Sequence, residues 1–204
     1  MADYEGSLRR EDLAADPIEQ FGRWFDEAKQ SVPLAEAMAL ATVDASGAPA
    51  VRFVLLKAFG PEGFDFFTDY RSEKGDQLDV NPRAALAFWW RELGRQVRIV
   101  GPVSRLSEAE SDEYFATRPR EAQIGAWASE QSMPLSDRTQ LTKQVEAETA
   151  RFEGSEVERP THWGGFRVIA DQIEFWQQGE ARLHDRFRYR RAGGGSWSIE
   201  RLSP

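Results

Sequence analysis

Arg182, His184 and Arg186 stand at alternate positions in the stretch Trp176 to Arg186, W-Q-Q-G-E-A-R-L-H-D-R. On an extended chain alternate side chains share a face, so two guanidiniums and an imidazole would line one wall. Arg pairs with phosphate through two parallel hydrogen bonds and stacks flat on rings, and His exchanges a proton near neutral pH. Such a comb suits an anionic, planar ligand. A solvated edge strand with ordinary charges has the same pattern. Gly179 marks a turn or a close approach of the backbone. Upstream, Arg52 and Lys57 bracket an apolar run at an odd separation. A regular strand would put them on opposite faces, where one strand could serve two different anions. Ser72-Glu-Lys74 lies at an expected helix start, where free N–H groups and the dipole favour phosphate and Lys74 adds charge. Tyr114 and Arg118 are one helical turn apart, close enough to hold one ligand together. Gln96 and Arg98 share a strand face. His162, in P-T-H-W-G-G, reads as a solvated turn histidine or a second proton-handling group.

Composition narrows the classes. The 204 residues fit one domain with a real core, and 41% hydrophobic with 29% charged residues is ordinary for a soluble globular chain. No apolar run is long enough to span a bilayer, and M-A-D-Y-E-G-S lacks the features of a secretory leader. The chain has no cysteine, which excludes disulfides, thiolate catalysis and cysteine-held metals and is compatible with a cytoplasmic protein. Two histidines argue against a His-rich metal site. A net charge of -8 argues against a nucleic-acid partner and makes local Arg clusters stand out.

The elements that must position these groups follow from spacing. Residues 1–16 are polar and expected to be a mobile segment, with Leu8 and Leu13 as contact points. Asp16-Pro17 reads as a helix start; Ile18, Phe21, Trp24, Phe25 and Ala28 then recur at helical spacing until Pro33. This amphipathic helix is expected to pack as a lid. Met38 to Val43, Ala50 to Lys57 and Phe64 to Thr68 read as strands around turns at Asp44–Gly47 and Gly60–Gly63. That meander predicts an antiparallel sheet closing into a barrel. Ser72 opens a short helix to Leu78, and Ala84 to Trp90 and Gln96 to Leu106 are the next strands. Ser107-Glu-Ala-Glu110 is a capping box for a helix to about Thr117, followed by helices to Trp127 and from Ser136 to Phe152. Trp163-Gly-Gly165 reads as a turn and Phe166 to Trp176 as a strand. Phe187 to Arg190 and Trp197 to Arg201 form a closing hairpin. Residues 17–204 are thus expected to be a single domain, mainly β with flanking helices.

Several motifs in fixed order carry a family resemblance. They are A-T-V-D-A-S-G-A-P (41–49), R-F-V-L-L-K (52–57), R-Q-V-R (95–98), Y-F-A-T-R-P-R (114–120), Q-I-G-A-W (123–127), Q-S (131–132), W-G-G-F-R (163–167) and R-L-H-D-R-F (182–187). With them the chain resembles the pyridoxine (pyridoxamine) 5′-phosphate oxidase family from about Leu8 to Pro204. The resemblance implies an antiparallel split β-barrel and a homodimer holding FMN between subunits. Aromatic-rich strands such as Phe88-Trp89-Trp90 would bury that interface. It implies oxidation of pyridoxine 5′-phosphate and pyridoxamine 5′-phosphate to pyridoxal 5′-phosphate, with O2 reduced to H2O2.

The resemblance also implies roles. Arg52, Phe53, Val54, Leu55, Leu56, Lys57, Phe67, Thr68 and Lys74 would contact FMN, as would Gln96, Gln131, Ser132, Trp176 and Arg186. Lys57, Tyr114 and Arg118 would anchor the substrate phosphate. Arg182 and His184 would lie beside the substrate ring as the catalytic pair, and Tyr4 would close over it. Three positions depart from the family pattern: Glu73 replaces an Arg, Phe67 a Tyr and Ala122 a Ser. Glu73 implies weaker FMN binding or a substitute cation at Arg71. A flavin oxidase for another ring, of the phenazine type, and a non-catalytic flavin or pyridoxal phosphate carrier are the alternatives.

Overall fold

The computed structural model describes residues 7–204, so Tyr4 lies outside the described residues. Helix α1 (Pro17–Ser31) begins as its sequence dictates. Asp16 accepts a hydrogen bond from the Ile18 N–H, and Pro17 occupies the first turn, where its missing N–H costs nothing. Its apolar stripe lies on the sheet. The Phe21 ring, fully buried, meets Phe59, Phe64 and Phe88 at centroid distances of 4.8, 5.0 and 5.3 Å. Trp24 packs edge-on against Phe175 and carries the Arg95 guanidinium 4.5 Å above its ring. From Ser7 onward the expected mobile segment is docked. Leu8, Leu13 and Ala14 are buried, the Leu8 N–H donates to Asp185, and the Tyr189 hydroxyl donates to the Ala14 carbonyl at 2.7 Å.

All strand pairings are antiparallel. β1 (Ala37–Val43) lies between β2 (Pro49–Leu55) and β5 (Arg83–Trp90), and β5 runs beside the long β6 (Arg95–Arg105). β3 (Ala58–Gly60) and β4 (Gly63–Asp69) form a small hairpin, and β4 pairs with β7 (Trp163–Val168). β7 returns to β6, so the path β6-β5-β1-β2 and β4-β7-β6 curls into a barrel. No ladder joins β2 to β4 among the described residues. The Lys57 N–H bridges that seam to the Asp65 carbonyl at 2.9 Å. Met38, Leu40, Leu86, Phe88, Val97 and Ile99 fill the interior at alternate positions, as a one-sided sheet requires.

The expected strand from Phe166 to Trp176 is interrupted at one point. Val168 pairs with Val103 and Gln172 with Val100, so three residues face two. This is a bulge, and its cause is Gly101-Pro102. Pro102 has no N–H to give, and a Cβ on Gly101 would sit 1.9 Å from the Ile169 carbonyl oxygen. Beyond the bulge β8 (Gln172–Gln177) turns to β9 (Asp185–Arg191) and β10 (Trp197–Leu202), while β7 turns to β4. The sheet therefore splits here. The Trp163-Gly-Gly165 turn expected from sequence is instead part of β7. Its glycines serve close packing: a Cβ on Gly164 would meet the Tyr70 hydroxyl at 2.1 Å, and one on Gly165 would meet Leu106 at 2.4 Å.

α2 (Glu73–Val80) follows β4. α3 (Glu108–Ala116), α4 (Arg120–Ala128) and α5 (Arg138–Arg151) follow β6 and build a second small core from Phe115, Ile124, Phe152, Val157 and Trp163. The capping box opens α3 as expected, with the Glu110 N–H donating to Ser107 and the Ser107 N–H to Glu110. No helix of the described residues is long and apolar enough to cross a membrane. Phe88 and Trp90 belong to the protomer's own core, and only Trp89 of that triplet is exposed. Alternation along β5 decides this, because inward and outward positions are one residue apart.

Candidate active site

Beside the seam between β2 and β4 lies a cavity of about 680 Å³. β2 ends at Leu55, two residues earlier than sequence suggests, and Leu56 drops into the core. This break lets Lys57 join Arg52 on the same cavity wall, against the expectation of opposite faces. Phe53, Val54 and Leu55 line it too, and the Phe53 side chain is 78% exposed.

Arg52 is held from behind. One guanidinium nitrogen donates to the Thr42 hydroxyl of β1 and another to the Gln77 amide oxygen of α2 at 3.0 Å. Lys74, at the start of α2, is buried and donates to Gln131 at 2.6 Å, Ser72 at 3.0 Å and Thr68 at 3.2 Å. All three acceptors are neutral. Burial, then the nearby Arg52 charge, pushes the Lys74 ammonium down to about 8. The Ser72 hydroxyl donates to the Asp69 carbonyl rather than capping α2, so first-turn N–H groups remain for another acceptor. The neighbouring Arg71 is committed to Asp69. Ser132 sits in the left-handed region at φ 72° and is exposed.

The opposite wall comes from the elbow between α3 and α4. Tyr114 stacks on Phe67 with centroids 3.9 Å apart, and Trp163 continues the stack 5.5 Å from Phe67. Arg118 lies 4.4 Å over the Trp163 ring. Its Nη1 is buried and has no hydrogen-bond partner. Burial lowers its affinity for a proton, but a guanidinium stays charged. The cavity thus gathers Arg52, Lys57, Lys74 and Arg118, none in an ion pair among the described residues.

The second group of expected residues lies elsewhere on the protomer. Gln96, Arg98, Glu174, Trp176 and Arg186 line a separate pocket of about 260 Å³ that shares no residue with the first. Buried Glu174 takes Arg186 at 2.7 Å and Arg98 at 3.5 Å. The expected comb is broken by a tight turn. Ala181 and Arg182 adopt φ 50° and 66°, so Arg182 is exposed off the strand and β9 begins only at Asp185. A Cβ on Gly179 would lie 2.1 Å from the Leu183 carbonyl, which makes this the close approach expected there. The Gly179 N–H donates to His184 Nδ1 at 3.2 Å, and the ring packs 4.5 Å from Trp176. His162 is half-buried between Ala126, Asp69 and Trp127 rather than solvated. Sequence gives no site role to Trp163, Thr42 or Gln77, although the first two lie in the family motifs. Only the Glu73–Gln77 spacing of one helical turn was a readable signal for the last.

Residues 25–152 match a family model described as pyridoxamine 5′-phosphate oxidase. Residues 163–204 match the pyridoxine 5′-phosphate oxidase C-terminal dimerisation region. A pyridoxine/pyridoxamine 5′-phosphate oxidase of Bordetella avium is 54% identical over 98% of this chain and 94% of its own length. A protein of the same name from Nostoc punctiforme is 51% identical over 92% and 88%. Among solved structures, PhzG from Burkholderia lata 383, in complex with tetrahydrophenazine-1-carboxylic acid, is 31% identical with a TM-score of 0.91, covering 98% of this chain and 100% of that one. Fold, site-bearing segments and sequence converge, and the chain belongs to the pyridoxamine 5′-phosphate oxidase family of oxidoreductases.

Proposed function

We propose that the chain oxidises pyridoxine 5′-phosphate and pyridoxamine 5′-phosphate to pyridoxal 5′-phosphate, using FMN and O2. The alcohol and O2 give the aldehyde and H2O2; the amine and O2 with water give the aldehyde, ammonia and H2O2. The observation that carries this is the cavity with four cations free of ion pairs among the described residues, in a chain of net charge -8. Two phosphate groups at about -1.5 to -2 each would balance it. Buried Lys74 with only neutral acceptors and the orphaned Arg118 Nη1 suit anionic ligands.

FMN, when bound, supplies the two-electron acceptor that O2 then recycles. The chain supplies position. Arg52, Lys74 and Thr68 would hold the FMN phosphate beside Gln131 and the open start of α2. Lys57, Tyr114 and Arg118 would hold the substrate phosphate, converting remote binding energy into orientation of the ring. Arg182 and His184 would lie against the substrate ring, with Gln96, Trp176 and Arg186 against the flavin.

These last groups reach the cavity by pairing two copies of the chain. Trp176, Arg182, His184 and Arg186 fall inside the segment matching the family's dimerisation region. In one protomer they line or flank a different pocket from the four cations. A homodimer in which each site takes one set from each subunit satisfies both facts. A ring carboxylate is the second reading, favoured by the likeness to PhzG and by Ala122, which offers no hydroxyl.

Anaerobic mixing of the FMN-loaded protein with pyridoxine 5′-phosphate tests the proposal. Bleaching of the flavin absorbance, restored by air with peroxide and aldehyde formed, is expected. A flavin that stays oxidised with this substrate and with pyridoxamine 5′-phosphate, but is bleached by a dihydro-phenazine carboxylate, would overturn it in favour of the second reading.

A further inference from the structure

Glu73 places a carboxylate at the first residue of α2, next to Lys74 and near Arg52, where a phosphate is proposed to bind. On charge alone it is a defect. Its contacts say otherwise. Glu73 is exposed and makes no ion pair with Arg52 or Lys74. It accepts a hydrogen bond from Gln77 Nε2 at 3.0 Å, one helical turn along. Gln77 is buried, and its other amide atom, Oε1, accepts from Arg52 at 3.0 Å and from the Thr42 hydroxyl. Thr42, also buried, in turn accepts from Arg52.

A primary amide has nearly the same shape either way round, but one end donates and the other accepts. If Gln77 were flipped, its NH2 would face the Arg52 N–H groups, donor against donor. The carboxylate of Glu73 can pair only with the NH2 end. It therefore selects the orientation that turns the oxygen to Arg52. We infer that Glu73 is a positioning residue: through Gln77 and Thr42 it fixes the Arg52 guanidinium toward the anion. This rests on the reading that Arg52 faces the FMN phosphate.

The test is titration of apoprotein with FMN, read by quenching of flavin fluorescence, for the wild type and for Glu73→Ala, Glu73→Gln, Gln77→Met, Arg52→Ala and the Glu73→Ala/Gln77→Met pair. Glu73→Ala is expected to raise the FMN Kd about fivefold to tenfold, the scale of one typical intramolecular hydrogen bond. Glu73→Gln still offers an acceptor oxygen and is expected to stay within about twofold of wild type. Once Gln77 is Met, Glu73→Ala should add nothing further. Glu73 is on the surface, and unchanged circular dichroism of the Gln variant controls for folding. If Glu73→Ala and Glu73→Gln both tighten FMN, the carboxylate acts only by repulsion and the inference falls alone. If neither changes Kd while Arg52→Ala weakens it, the inference likewise falls alone. If Arg52→Ala leaves Kd unchanged, the assignment of this wall to FMN falls with it.

Discussion

Lys74 carries the clearest pH dependence at the residue scale. Its folded value of about 8 lies below its ordinary 10.5. The unfolded chain thus holds more protons at this position between those values, so apoprotein stability rises with pH across that window. Below about 8 the folded ammonium is charged and the full cost of burying it is present. Anion binding runs the other way, because the phosphate needs the charged form. The FMN Kd is expected to increase toward tenfold per pH unit above about 8, and Lys74→Met should abolish that slope. Fluorescence titrations from pH 7 to 9.5 check this. An equal slope in the Met variant would assign the dependence to another group. Sequence made Lys74 a phosphate candidate through its place at a helix start. It did not show that Thr68 and Gln131, 6 and 57 residues away, would converge on its ammonium.

At the scale of elements, two glycines in helices separate local propensity from packing. Gly125 of α4 has open space where a Cβ would go, whereas a Cβ on Gly75 of α2 would lie 2.0 Å from the Tyr70 carbonyl oxygen. Alanine is the better helix former by about 1 kcal/mol. Gly125→Ala should therefore stabilise the protein by up to about 1 kcal/mol in urea unfolding. Gly75→Ala should destabilise it by about 1–3 kcal/mol, since the obstacle is backbone and cannot swing away. It should also weaken FMN binding, because α2 carries Lys74 and Gln77. Stabilisation by both substitutions would mean that the close approach to Tyr70 does not constrain α2. The helix starts at Asp16-Pro17 and Ser107 were legible because caps are local chemistry. The bulge at Ile169–Asp171 was not, because it depends on Gly101-Pro102 lying opposite, a partner some 70 residues away in the chain.

At the scale of the whole molecule, the outward face of edge strand β2 carries Val51, Phe53 and Leu55, exposed by 69%, 78% and 38%. An apolar stripe on a free sheet edge is a pairing surface. It borders the four-cation cavity, and Trp89 and Leu183, exposed by 50% and 71%, adjoin the second set of site residues. Phe53→Asp leaves the protomer core untouched. It is expected to shift the protein toward monomer in light scattering and to lower FMN content in parallel. A monomer that keeps its FMN would refute a site shared between copies.

What the sequence determined by itself was local or compositional. It set the amphipathic stripe of α1, the strand-turn-strand meander, the helix caps at Asp16 and Ser107, and the cation-bearing motifs that place the chain in its family. These are read from spacing along one segment, where the geometry of helix and strand converts position into face. Only the tertiary structure decided how those motifs meet within one protomer. Lys57 joins Arg52 because β2 breaks at Leu55, and the Arg182-x-His184 comb leaves its strand because Ala181 and Arg182 take positive φ. Glu73 passes from apparent liability to a prop for Arg52 because α2 lays Gln77 against β1 and β2. Each of these outcomes depends on contacts between segments far apart in the chain, and residue spacing carries no information about those.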